Sequence, residues 1–187
     1  PEVDAAEIAV AVAAETSFME DVLCRLIEAP TTLGNEEPGQ EIMRDALREI
    51  GLEPVDMPLD EKMLRTHPAA SPFSWDVSAK RNVVADWHPG GEGGRSLVLN
   101  GHIDVVAEAS SLWRLPPYTP VREGDWLYGR GGGDMKAGLA AILGAVKGLR
   151  ALGLAPRAPV QLQSVVEEEC TGNGALQAAV SGLRADA

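Results

Sequence analysis

Apolar residues recur three or four positions apart in several segments of the chain, which is the spacing of a helix that buries one face. Ser17 and Glu20 have the spacing of a capping box at the start of one such segment. Helices are therefore predicted over residues 4–14, 17–29, 38–50 and 135–152, with a last short helix ending near residue 182.

Shorter apolar or alternating segments lie between these helices and predict strands. They span residues 52–57, 82–87, 96–100 and 159–166, with a hairpin over residues 121–128. The strands at 82–87 and 96–100 are expected to form a hairpin or to be neighbours, because only the glycine-rich turn 88–94 separates them. Residues 58–80 are predicted to form a long irregular loop. Strands that alternate with helices indicate an α/β architecture.

Composition narrows the classes of partner. The chain has 187 residues and a formal net charge of -12, which argues against nucleic acid and anionic membrane surfaces as partners. No apolar run is long enough to span a membrane. Cys24 and Cys170 are too far apart for a CxxC motif, so no disulfide framework is expected. A cytoplasmic location is the expectation, although the first residue, Pro1, leaves open a removed leader.

The apolar run over residues 96–106 presents an imidazole and a carboxylate two positions apart. In a strand, His102 and Asp104 lie on one face while Ile103 points into the core. A carboxylate beside a histidine fixes the tautomer and makes the free ring nitrogen more basic, which suits a metal ligand. This pair is the first candidate for a functional site.

A glycine-rich turn, Gly129 to Lys136, leads into the long helix that follows. It lacks the Lys-Ser or Lys-Thr pair of a phosphate-binding loop, and Asp134 occupies the place of the third glycine in a dinucleotide fingerprint. A carboxylate there would repel a pyrophosphate. Asp134 could be a helix N-cap, but the glycines favour a backbone bent to hold this carboxylate in a fixed place.

Three successive acids, Glu167 to Glu169, follow the last strand. They could form a solvated strand end. Like charges gathered beside a half-buried strand are costly, however, and a divalent cation reverses the sign of that cost. Together with His102, Asp104 and Asp134 they suggest a site for a divalent ion such as zinc, although the pattern alone does not choose among the three glutamates.

The segments 99–106, 127–138 and 167–174 closely resemble three successive motifs of the M20 metallopeptidase family. The resemblance implies a mixed, mainly parallel sheet flanked by helices and an active site with two divalent ions, zinc first and cobalt as the alternative. It also implies that the 187 residues are the N-terminal part of the catalytic domain. The lid domain, the C-terminal part and the remaining ligands would lie elsewhere, and such a fragment is expected to be inactive alone.

The same resemblance assigns roles to individual residues. His102 and Glu169 would each bind one metal, and Asp134 would bridge both. Asp104 would support the imidazole of His102. Glu168 would be the general base that takes a proton from water and returns it to the departing amine.

The leading functional hypothesis is a deacylase that hydrolyses an amide bond in an N-acyl amino acid or related small substrate. A di- or carboxypeptidase of the same family is the first alternative, and the full-length protein is expected to be a homodimer. A non-catalytic metal-binding or interaction protein on the same scaffold is the alternative from another class. The presence of both Asp104 and Glu168 argues against that alternative, because a purely structural site needs ligands but no proton carrier.

Overall fold

The computed structural model describes residues 4–88 and 93–187. Its helices occupy the segments in which helical periodicity is visible, with one addition in the predicted loop. They are α1 (Ala5–Ala14), α2 (Thr16–Glu28), α3 (Glu37–Glu49), α4 (Glu61–Thr66), α5 (Ala137–Ala151) and α6 (Asn173–Val180).

Two local predictions about helices are wrong. The capping box at Ser17 does not form, because α2 begins at Thr16 and its N-cap, Glu15, makes no side-chain capping bond. The loop 58–80 contains α4, which has only six residues and therefore shows no detectable periodicity. Asp60 caps α4 by accepting a hydrogen bond from the Met63 amide at 3.0 Å.

The main sheet has four strands, and a separate two-stranded hairpin lies outside it. The main sheet contains β1 (Pro54–Pro58), β2 (Arg81–Trp87), β3 (Leu97–His102) and β6 (Val160–Val165) in the order β1-β2-β6-β3. The predicted hairpin is β4 (Val121–Glu123) with β5 (Trp126–Tyr128). A mixed α/β fold is confirmed, with β3–β6 parallel and the β1–β2 and β2–β6 pairs antiparallel.

The expected pairing of β2 with β3 is wrong, because β6 lies between them and is hydrogen-bonded to both strands. The intervening glycine-rich segment is too long to impose the register of a two-residue hairpin turn. Part of that predicted turn, residues 89–92, lies outside the described residues. Strand pairing here depends on a partner more than sixty positions downstream, which local pattern does not indicate.

Helices cover both faces of the sheet. Val83, Ala85 and Trp87 alternate along β2 into the main core, where they join residues of α2, α3 and α5. Asn82 projects from the opposite face, where its side chain donates to the Gly174 carbonyl of α6 at 2.8 Å. In the described part of the chain, no helix has both the length and the apolarity needed to cross a bilayer.

The parallel pair β3–β6 determines where polar residues gather. His102 at the end of β3 is in register with Val165 at the end of β6. The segments that follow both strands therefore leave the sheet at the same edge, as expected for ligand sites in open α/β sheets. This register brings the His102–Asp104 segment beside the three glutamates.

Replacing Gly174 by alanine tests the close approach of α6 to this edge. A Cβ at position 174 would overlap the Val166 carbonyl oxygen and lie 2.9 Å from the Val166 nitrogen, and backbone atoms cannot rotate away. We expect Gly174→Ala to lower the free energy of unfolding in urea by about 1–3 kcal/mol. Gly133→Ala is the matched control, because its Cβ meets no atom within 4 Å. Equal stability of the two variants would contradict this packing.

Candidate metal centre

His102 is buried at the end of β3, and its two ring nitrogens face different partners. Nδ1 lies 2.9 Å from the backbone carbonyl oxygen of Asp104. A carbonyl can only accept, so this contact places the proton on Nδ1 and turns the lone pair of Nε2 toward the site. The sequence predicts that the Asp104 carboxylate holds the ring, but its oxygen lies 3.8 Å from Nδ1 and the main chain makes the closer contact.

The Asp104 carboxylate instead binds the backbone of residues 167–169, called the acidic segment below. Its two oxygens accept hydrogen bonds from the backbone amides of Glu168 at 3.1 Å and Glu169 at 3.0 Å. Asp104 lies beyond the end of β3, in a segment without regular structure. A bidentate carboxylate with two amide donors fixes the direction of the backbone that carries both glutamates.

Asp134 reaches the same place from the glycine-rich turn. Gly131 has φ +75°, and a Cβ there would lie 2.5 Å from Val105 Cγ1, so the turn requires glycine at this position. Asp134 is not the N-cap of α5, because that helix begins at Ala137 with Lys136 as its N-cap. Its carboxylate lies 3.0 Å from His102 Nε2 and its side chain is 80% exposed. This supports the interpretation in which the turn holds the carboxylate at a fixed place.

Lys136 anchors the glycine-rich turn from beneath. Its side chain is fully buried, and its Nζ donates to the backbone carbonyls of Leu26 at 2.6 Å and Ala29 at 2.9 Å. These carbonyls are at the end of α2, where the last turn of a helix lacks intrahelical donors. Burial lowers the pKa of Lys136 to about 8, and the nearby charge of Asp104 opposes this shift.

The structure separates the three glutamates. Glu167 is fully buried and forms an ion pair with Lys80 at 3.2 Å, away from the imidazole. Glu168 is 53% exposed, and its Oε2 lies 3.7 Å from His102 Nε2. Glu169 is half-buried, with a carboxylate oxygen within 4.8 Å of a ring nitrogen of His102. One acid is therefore internal and two face the site.

Three side chains can hold one cation. Ligand atoms of His102, Asp134 and Glu169 all lie within 4.8 Å of one another. One imidazole nitrogen with two carboxylate oxygens is a donor set that suits zinc and related divalent ions. The hydrogen bonds that the Glu168 and Glu169 amides donate to Asp104, together with the tautomer of His102, orient these metal-binding groups. The residues present therefore fit a divalent metal.

Electrostatic repulsion among the acids shifts pKa values at the site. Burial raises the pKa of Glu169, and Asp134, Asp104 and Glu168 raise it further, while His102 lowers it. Burial lowers the pKa of His102, but in the protonated ring Nε2 donates to Asp134, and this bond and the contacts with Asp104 and Glu168 outweigh burial, so the pKa is raised. A cation at this place would relieve the repulsion.

The other two histidines lie outside this group. His67 follows α4, and its Nδ1 accepts a hydrogen bond from the Ala69 amide at 3.2 Å. His88 follows β2 and lines a separate groove of about 760 Å³ beside β1 and β2. Sequence reasoning missed the contacts that Trp75 and Lys80 make with the Glu167 carboxylate, and the burial of Lys136. The long loop 58–80 was the one signal that could have pointed to the first two.

The comparisons with known proteins agree with the three motifs. The model of Peptidase family M20/M25/M40 matches residues 98–187, which include all three, and the resemblance is confirmed. A curated N-formyl-4-amino-5-aminomethyl-2-methylpyrimidine deformylase of Halalkalibacterium halodurans is 43% identical over 115 residues, covering 60% of this chain and 27% of that protein. A succinyl-diaminopimelate desuccinylase of Coxiella burnetii is 31% identical over 130 residues, covering 68% and 29%. The chain thus spans less than a third of either relative.

Solved structures share the fold. A tripeptidase from Staphylococcus aureus superimposes with a TM-score of 0.65 at 25% identity, covering 90% of this chain and 41% of that chain. The dipeptidase Dug1p from Saccharomyces cerevisiae superimposes with a TM-score of 0.68 at 16% identity, covering 88% and 35%. The second likeness concerns the fold alone.

Replacing Asp104 by asparagine tests the link between β3 and the acidic segment. Asparagine has one acceptor oxygen, so one of the two amides would face an NH₂ group. We expect Asp104→Asn to reduce the free energy of unfolding by about 1.5–3 kcal/mol, the usual contribution of a hydrogen bond to a charged group. Asp45→Asn, at an exposed ion pair, should change it by less than about 1 kcal/mol. Urea unfolding of both variants measures these changes. An Asp104→Asn variant with an unchanged free energy of unfolding would contradict the bidentate contact.

The depressed pKa of Lys136 predicts a pH dependence of stability. Between about pH 8, its pKa in the folded protein, and 10.5, the ordinary value, the unfolded chain holds a proton that the folded chain has released. The free energy of unfolding from this group therefore rises with pH in that window. Urea unfolding across it should show this rise, and Lys136→Met should remove it. The exposed Lys62→Met is the control, and equal pH slopes in all three proteins would refute the shift.

Proposed function

Because residues 98–187 belong to peptidase family M20/M25/M40, we propose that the whole protein hydrolyses an amide bond in an N-acyl amino acid or related small substrate. Two relatives support this substrate class, since their names describe the removal of a formyl and of a succinyl group. The observation that carries the proposal is the convergence of His102, Asp134 and Glu169 within 4.8 Å beside Glu168. A peptidase activity is the second candidate, supported by the likeness to the tripeptidase.

His102 and Glu169 would each hold one of two zinc ions, and Asp134 would be a ligand of both. Bound divalent ions polarise a carbonyl oxygen and make a water molecule more acidic. The chain's own residues prepare this site in two ways. Asp104 fixes the imidazole through its carbonyl oxygen and the glutamates through its carboxylate. The turn before α5 holds Asp134 opposite His102 Nε2.

Glu168 is the proposed general base. Its side chain is half-exposed and its carboxylate stays near the imidazole, so it can take a proton from water and deliver it to the departing amine. Glu167 cannot fill this role, because its carboxylate is fully buried and already paired with Lys80. Of the three successive glutamates, the pairing leaves Glu168 and Glu169 available at the site.

Residues 1–187 are proposed to be the N-terminal part of this catalytic domain, inactive without the remaining ligands, with the full-length protein a homodimer. The relatives are more than three times as long as the segments they share with this chain. A cytoplasmic location stays a prediction. Measurable hydrolysis of acetyl or succinyl amino acids by the purified 187-residue chain would contradict the proposed inactivity of the fragment.

Zinc titration of the chain tests the metal site. Isothermal titration calorimetry with Zn²⁺ should detect binding to the unmutated chain, and His102→Ala should weaken it at least about tenfold because the imidazole is lost. His67→Ala is the matched control and should bind as the unmutated chain does, since His67 lies outside the site. If both variants bind Zn²⁺ as the unmutated chain does, or if both bind it more weakly, the assignment of His102 as a metal ligand is contradicted.

Replacing Glu168 by glutamine separates an enzyme from a metal-binding scaffold protein. In the full-length protein, Glu168→Gln should lower turnover by about 10²–10⁴-fold because proton transfer is lost. Zinc affinity should stay close to that of the parent, whereas Glu169→Gln should weaken it. Deacylation of acetyl and succinyl amino acids and zinc calorimetry are the two measurements. Unchanged turnover in Glu168→Gln would exclude it as the base.

A further inference from the structure

We propose that Trp75 and Lys80, which belong to the loop between α4 and β2, are positioning residues for the active site. Acting through Glu167, they hold the backbone of Glu168 and Glu169 in the conformation that directs both side chains toward His102. The inference rests on the proposed function for the roles of those two glutamates.

Glu167 is held on every side by donors. Its Oε1 accepts a hydrogen bond from Trp75 Nε1 at 2.7 Å and pairs with Lys80 Nζ at 3.2 Å. Its Oε2 accepts from the Thr171 hydroxyl at 2.9 Å. A fully buried carboxylate is tolerated only where such partners replace water. Removing a partner therefore perturbs Glu167 rather than a solvent-exposed acid.

Lys80 shares its charge between two buried acids. Its Nζ contacts Glu36 Oε1 as well as Glu167, and all three side chains are buried. One ammonium does not neutralise two carboxylates, so the group retains a formal charge of about -1 if all are ionised. The Trp75 N–H supplies part of the missing stabilisation of Glu167. Trp75 thus contributes more than its packing against the core.

The backbone at Glu167 makes the side-chain anchor consequential. Glu167 has φ +65°, a left-handed conformation that favours glycine and is costly for other residues. Its carbonyl oxygen accepts from the amides of Thr171 at 3.0 Å and Gly172 at 2.7 Å, which closes the turn. A strained residue persists only where its surroundings hold it. The side-chain contacts of Glu167 hold this residue in place, and the Asp104 carboxylate binds the amides of the next two residues.

The segment that contains Trp75 is also hydrogen-bonded to Asn173, the first residue of α6. The Ser71 amide donates to Asn173 Oδ1 at 3.0 Å, and Asn173 Nδ2 donates back to the Ser71 carbonyl at 3.0 Å. Phe73 and Trp75 pack against the main core. The loop between α4 and β2 therefore contacts Glu167 and also Asn173, on either side of Glu168 and Glu169 in the sequence. Two contacts of this kind can hold the intervening backbone in place.

The test measures backbone order at Glu168 and Glu169 directly. Trp75→Phe keeps an aromatic ring and removes only the N–H donor. Amide hydrogen exchange, followed by NMR, should accelerate at least about tenfold at Glu168 and Glu169 in this variant, the loss expected for one hydrogen bond to a charged group. Exchange at Val83 and Ala85 in β2 should change much less. Thr171→Val, which removes the hydroxyl donor to Glu167 Oε2, should act in the same direction.

Trp126→Phe is the matched control, because Trp126 is 71% exposed on β5 and should leave all these rates unchanged. Exchange at Glu168 and Glu169 that stays as in the unmutated chain would overturn the proposal. So would an equal acceleration at Val83 and Ala85, because that pattern means general destabilisation by Trp75→Phe and no specific positioning.

A cobalt titration separates this inference from the proposed function. Co²⁺ should bind Trp75→Phe about 10–100-fold more weakly than the unmutated chain, as when outer partners of metal ligands are lost. If the unmutated chain binds no Co²⁺, the proposed function loses its metal site, while the exchange rates still decide whether Trp75 positions the glutamates. If Co²⁺ binds both proteins equally and the exchange rates agree, only the positioning role is refuted.

Discussion

The contact on which the site depends is the pair of hydrogen bonds from the amides of Glu168 and Glu169 to the Asp104 carboxylate. It joins the segments that leave β3 and β6, two strands that are parallel and end in register. Neither segment has regular structure of its own at this point. Without this contact, nothing in the sheet itself would fix the glutamates relative to the imidazole of His102.

Asp104 performs two tasks with different atoms. Its carbonyl oxygen contacts His102 Nδ1 and selects the tautomer, while its carboxylate orders the acidic segment. A carboxylate committed to two amides is held rigidly, so the carbonyl that contacts the imidazole is held as well. One residue, Asp104, therefore contacts both the imidazole and the backbone that carries the acids. Preorganisation of this kind reduces the cost of assembling ligands around an ion.

The three adjacent glutamates lie in different environments, one inside the protein and two at the site. Glu167 turns into the protein because its left-handed backbone and buried partners direct it there, and Glu168 and Glu169 then face the imidazole. Lys80 pairs with the buried acids Glu36 and Glu167, so its positive charge does not neutralise Glu168 or Glu169. An acidic, partly exposed group of ligands is the arrangement that attracts a divalent cation.

Periodicity was enough to locate five of the helices and the strands, and the position of His102 at a strand end followed from the same pattern. The insertion of β6 between β2 and β3 could not be predicted, because pairing between distant strands leaves no local signal. The motifs indicated His102, Asp134 and the glutamates. Residue spacing could not reveal that Asp104 uses its carbonyl for the imidazole, or that Trp75 and Lys80 reach Glu167 from a distant loop.

The most direct test of the central claim is the position of zinc in crystals grown with Zn²⁺, located from its anomalous scattering. The account predicts zinc within about 2.0–2.2 Å of His102 Nε2 and of an Asp134 carboxylate oxygen. Zinc bound elsewhere on the chain, with the imidazole of His102 free of metal, would contradict it.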